Sequence, residues 1–149
     1  MAKRKDRKSR AGQPVPLDTA QWSQASRRSL AAEFADSHYR DLTQRCIACK
    51  GEFVFSAEQQ RDAFERRKAY IAQQRLLCAQ CWAHRLGLIE ELKRIRSHWN
   101  RDRAGSKRDL PMLLRWQQVL AQLPRYGLRE DRAQRAMVDR WVQAARRAD

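Results

Sequence analysis

The clearest hydrophobic rhythm lies in the second half of the chain. Leu88, Leu92, Ile95 and Trp99 step by 4, 3 and 4 residues, which places them on one stripe of a helix reaching about Arg103, with Gly105 beyond it. Asp109 can cap the next helix, where Leu113, Trp116, Leu120 and Leu123 repeat at 3, 4 and 3 until Pro124 forbids continuation. Gly127 marks a turn. A last helix from about Leu128 would bring Ala133, Met137, Trp141 and Ala144 to one face, so residues 109–149 predict an antiparallel helical hairpin.

The first half is less regular. Trp22, Leu30 and Phe34 share one side of a helix predicted over residues 18–37 and capped by Asp18, although Ser and Gln dilute the pattern. Residues 40–45 can enter as a short strand and the β-prone Phe53-Val54-Phe55 can return, forming a small hairpin around Cys46 to Cys49, with a Lys50-Gly51 step relieving backbone crowding. Ser56 and Gln59 make a capping box that opens a helix over residues 57–70. Residues 1–17 combine a basic run with Gly12, Pro14 and Pro16, a composition that predicts a disordered basic arm.

Hydrophobic residues make up 42% of the chain and charged ones 33%, which leaves little material for a large core. The formal net charge is +15, mostly from arginine, and every quarter of the chain contributes to it. Such an excess favours a polyanionic partner, and the planar guanidinium pairs well with phosphate, so RNA, the ribosome or DNA is the expected partner class. The candidate contacts are Lys3, Arg4, Lys5, Arg7 and Lys8 in the arm, and Arg85, Lys93, Arg94, Arg96 and Arg101 on the long helix. The basic start is not followed by an apolar run, and no window approaches the roughly 20 apolar residues that cross a bilayer. A cytoplasmic protein without membrane contact is expected.

Within this pattern stand two Cys-x-x-Cys pairs, Cys46/Cys49 and Cys78/Cys81, separated by 28 residues. Two intervening residues let a pair of sulfurs turn toward one point, and two such pairs supply a closed tetrahedral zinc site. In a reducing compartment metal ligation is favoured over disulfides. A knuckle and hairpin giving two ligands, and a helix start giving two more, make a small α+β zinc finger, a four-cysteine zinc ribbon or treble-clef-like unit, over residues 38–104. The helical hairpin follows it, so the chain is mostly α overall. Zinc would contribute folding energy on the order of 10 kcal/mol. Two redox pairs are the alternative, but they lack a βαβ context; His84, at Cys-x-x-His spacing from Cys81, reads as a neighbour of the site rather than a ligand.

The segment from about residue 38 to 83 resembles the zinc-ribbon or zinc-binding domain family of small bacterial proteins. The matching residues are Tyr39-x-Asp41, Cys46-x-x-Cys49, Glu52-x-Val54-Phe55-Ser56-Ala57, Gln59-Gln60 and Cys78-x-x-Cys81, with Lys3-Arg4-Lys5 matching a common basic start. The resemblance implies that the four cysteines bind zinc, and it implies no established reaction. The chain departs from the family at Asp62-Ala63-Phe64 and at Gln74-Arg75-Leu76-Leu77.

No enzyme is expected. The stretch between the cysteine pairs contains neither His nor Asn, and Asn100 lies beside His98 on the long helix, so a nuclease built into the finger lacks its residues. Four thiolates also leave no open metal position to activate water, and no small-molecule substrate is implied. The two remaining readings are a nucleic-acid binder and a protein-interaction adaptor scaffolded by the zinc module. For the adaptor, Trp116 and Trp141 are core residues first and partner anchors second; Phe53 and Phe55 likewise read as core before base-stacking groups.

Overall fold

In the computed structural model, residues 12–148 are described. They divide into two units. One comprises the described residues up to Gln44 together with Glu52–Arg75; the other comprises Arg45–Gly51 and the chain from Leu76 onward.

In the first unit, β1 (Val15–Pro16) pairs antiparallel with β2 (His38–Tyr39), Val15 opposite Tyr39. The expected disorder over residues 1–17 is thus corrected for its last part: Val15 is 6% exposed, and the hydrophobic side chain supplies what the prolines and glycine do not. Lys3, Arg4, Lys5, Arg7 and Lys8 lie outside the described residues. The single helix expected over residues 18–37 is also corrected. It is a 3-10 turn (Thr19–Gln21) followed by α1 (Gln24–Arg27) and α2 (Leu30–Glu33). Serine hydroxyls compete for the backbone here: Ser23 Oγ accepts from the Ser26 amide, Ser29 Oγ donates to the Ser26 carbonyl, and buried Ser26 Oγ accepts from the Ile71 amide. Trp22 is buried, but Leu30 and Phe34 are 71% and 83% exposed, so the proposed apolar face does not exist.

The core of this unit joins Val15, Trp22, Tyr39, Phe55, Ala57, Ala63 and Phe64. Trp22 Nε1 donates to the Tyr39 hydroxyl at 2.7 Å, which donates in turn to Glu65 at 3.1 Å. Burial, together with the nearby Glu65 carboxylate, pushes the Tyr39 phenol up to about 12. β3 (Leu42–Arg45) and β4 (Glu52–Phe55) form a second two-stranded sheet. α3 (Ala57–Arg61) opens with both bonds of the Ser56/Gln59 capping box, then widens into a π turn, Asp62–Arg66. Lys68 adopts φ 57° and ends it, short of the expected residue 70.

In the second unit, α4 (Ala79–Arg101) buries Leu88, Leu92, Ile95 and Trp99, the stripe read from the sequence. Asp102 then caps α5 (Arg103–Ser106), so Gly105 lies inside a helical turn rather than beyond the helix. α6 (Leu110–Gln122), capped by Asp109 with Pro111 in its first turn, buries Leu113, Trp116, Val119 and Leu120. A 3-10 turn (Leu123–Tyr126) and Gly127 lead to α7 (Arg132–Ala148). The buried face of α7 is Val138, Val142 and Ala145, one residue on from the predicted Met137, Trp141 and Ala144. The helix begins at Arg132 rather than near Leu128, with the Asp131 carboxylate accepting from the Gln134 amide. A tryptophan cluster locks these helices: Trp99 lies 5.3 Å from Trp116 edge-on and 6.2 Å from Trp141. Among the described residues, no helix is long and apolar enough to cross a membrane.

Candidate metal centre

All four cysteines belong to the second unit. The first pair sits on a tight knuckle. The Cys46 amide donates to the Gly51 carbonyl at 2.8 Å, the Lys50 amide returns to the Cys46 carbonyl at 3.0 Å, and the Gly51 amide points at Cys49 Sγ, 3.4 Å away. Closing so short a loop requires a left-handed residue, and it is Lys50, at φ 64°, rather than Gly51. Ile47 donates to the Leu76 carbonyl at 2.9 Å, which ties the knuckle to the stretch of chain that carries the second pair. Cys78 is the N-cap of α4, its sulfur accepting from the Cys81 amide at 3.5 Å.

The result is four Sγ atoms that all lie within 4.8 Å of one another, with Cys49 and Cys78 at 3.9 Å. A disulfide needs about 2.05 Å, whereas the edge of a tetrahedron with metal–sulfur bonds of about 2.3 Å is roughly 3.8 Å. The spacing therefore fits a shared divalent ion. Cys46 is fully buried, Cys81 is 9% exposed, and Cys49 is exposed.

The protons of the cluster support the same conclusion. Burial opposes ionisation of Cys46, but the amides of Cys49, Cys78 and Ala48 outweigh it and bring this thiol down to about 6. Cys81 goes the other way: burial, the neighbouring sulfurs and the Cys46 charge hold it up to about 12. A negative charge on Cys46 thus opposes one on Cys81, and a divalent cation between them removes that repulsion.

Sequence reading did not anticipate what surrounds the knuckle. Arg45 Nε donates to the Lys50 carbonyl (3.0 Å), Lys50 Nζ to the Ile47 carbonyl (2.8 Å), and Arg125 Nε to the Ala48 carbonyl (3.3 Å). Arg85 donates to the Tyr126 carbonyl at 3.1 Å. The turn between α6 and α7 is therefore docked on the knuckle. Gly127, at φ 84°, passes so near Ile47 that a Cβ would lie 3.3 Å from its Cδ1. His84 lies against the Tyr126 ring, 5.8 Å between centroids, and the metal-binding group consists of the cysteines.

The other candidate cations on α4 divide into two kinds. Lys93 pairs with Glu90 at 2.7 Å, and Arg96 with Asp131 at 3.9 Å and Gln134. Among the described residues, Arg94 and Arg101 are exposed and form no direct ion pair, although Arg94 lies near enough to Glu90 and Glu91 to favour their ionised forms. Two non-cysteine residues of the resemblance have structural tasks: Asp41 accepts from the Gly12 and Ala57 amides, and Gln60 donates to the Arg40 and Phe55 carbonyls.

Residues 40–87 match the family model described as a probable treble clef domain. The match covers both cysteine pairs, the paired strands and the start of α4, so this segment is a treble clef, zinc-finger-like domain. No curated protein and no solved structure matches the chain.

Proposed function

We propose that this chain, with its treble clef at residues 40–87, is a non-enzymatic zinc protein that binds nucleic acid, RNA or DNA, in the cytoplasm. The carrying observation is the closed quartet of sulfurs. Soft thiolates in a tetrahedral set select zinc among abundant divalent ions, and a four-sulfur shell keeps no position for a reacting water. The ion's task is then to hold the fold. The net charge of +15 makes a polyanion the natural partner, and Arg94 and Arg101 are available to it. His98 and Asn100 are exposed side chains on α4.

The adaptor reading has less support. Trp116 is 1% exposed, and the half-buried Trp141 has Lys107 Nζ 4.2 Å over its ring, so Trp116 serves the core and Trp141 offers only part of its surface.

Counterion release gives the test. A labelled oligonucleotide is expected to bind at low salt and to lose affinity by at least about tenfold between roughly 50 and 200 mM salt. No binding at either concentration, by fluorescence anisotropy, would remove nucleic acid as the partner.

A further inference from the structure

The metal does not use all the chemistry gathered at the knuckle. Trp82, the residue after the last cysteine, is 48% exposed, whereas Trp22, Trp99 and Trp116 are 3%, 9% and 1% exposed and Trp141 is half-buried. Trp82 lies on the first turn of α4, and the Arg85 guanidinium lies 5.1 Å from its ring centroid. Arg85 reaches the Tyr126 carbonyl, and the adjoining Arg125 reaches Ala48 on the knuckle, whose Ile47 and Lys50 carbonyls hold Lys50 and Arg45. The exposed indole, the half-buried Arg85 beside it, and the exposed Arg45, Lys50 and Arg125 bonded to knuckle carbonyls all belong to the second unit.

Charge counting shows why this surface is not fully explained by the ion. Four thiolates around a divalent metal carry about −2, and Arg45, Lys50, Arg85 and Arg125 contribute about +4, so roughly two positive charges remain. Among the described residues, none of these four forms an ion pair with a carboxylate. An exposed flat ring beside uncompensated cations suits a ligand that is itself flat in one part and anionic in the next. A nucleotide has that form. In a duplex the bases are stacked inside, so only an unpaired base can lie on the indole.

We infer that the knuckle face binds single-stranded nucleic acid, stacking an unpaired base on Trp82 and seating the adjoining phosphates on Arg45, Lys50 and Arg125. This rests on the nucleic-acid reading above and narrows it to single strands and to one surface.

The test titrates the full-length zinc-loaded protein with a short oligoadenylate, an abasic strand of equal length and a duplex of equal length. The oligoadenylate is expected to quench tryptophan fluorescence, bind better than the duplex, and bind about fivefold or more weakly to Trp82→Ala. Trp82→Phe should restore most of that affinity, and the abasic strand should bind without quenching. Lys50→Gln with Arg125→Gln should shallow the salt dependence, read only on protein whose zinc content is measured alongside. Since Trp82 is exposed, its variants test the idea even if the charge variant misfolds. Equal affinity of wild type and Trp82→Ala for oligoadenylate would overturn the stacking site while leaving nucleic-acid binding intact. Failure of all three probes to bind at low salt would remove both readings, and a protein captured through Trp82 under those conditions would put the adaptor in their place.

Discussion

Cys46→Ser is expected to abolish stoichiometric zinc binding and to unfold the knuckle. Serine is a poor ligand for a soft divalent ion, and Cys46 is the sulfur with no solvent exposure and with amide donors from Cys49, Cys78 and Ala48 already stabilising its thiolate. A structural zinc site is worth on the order of 10 kcal/mol, as much as a whole domain's net stability. The turn carrying Arg125 and Gly127 rests on the knuckle, so its docking should loosen with it. The tryptophan-centred packing of α4, α6 and α7 does not include the sulfurs, and helical circular dichroism should survive in large part. Elemental analysis and thermal melts of wild type, Cys46→Ser and Cys49→Ser check this, with a large fall in melting temperature expected for Cys46→Ser. The exposed Cys49 should show the smaller structural loss. A Cys46→Ser protein that keeps one zinc and its melting temperature would refute the site.

The second large effect is at Trp116. Its ring packs edge-on against Trp99 at 5.3 Å, and its Nε1 donates to Gln134 at 3.1 Å. Trp116→Ala removes a wholly buried indole where neighbouring helices can collapse only in part, at a cost of about 3–5 kcal/mol. Trp116→Phe keeps most of the ring and loses one hydrogen bond, about 1 kcal/mol. Urea titration followed by circular dichroism should order the three proteins as wild type, Phe, Ala. An Ala variant as stable as wild type would contradict the core role of Trp116.

What the sequence made legible follows from the length scale of each signal. The ligands were readable because Cys-x-x-Cys is a local constraint, and the α4 stripe because its four apolar residues repeat at helical spacing with few competitors. α7 was misread by one residue because Ala133, Met137 and Ala144 are as apolar on paper as Val138 and Val142; packing against α6 chooses between faces one residue apart. Residues 18–37 failed for a different reason. Their serines bond to nearby backbone, and Ser26 accepts from Ile71, 45 residues away, a partner that no local pattern announces. The same holds for Arg125, which reaches the knuckle across 77 residues. Trp82 carried no periodic signal because it is exposed beside the site, and apolar rhythm reports only what is buried.

The central claim is that four cysteine sulfurs close around one zinc ion. X-ray absorption at the zinc edge of the purified protein, with elemental analysis, addresses it most directly. The expected result is one zinc per chain in a shell of four sulfurs at about 2.3 Å. A metal-free folded protein, or a shell containing nitrogen or oxygen in place of a sulfur, would contradict it.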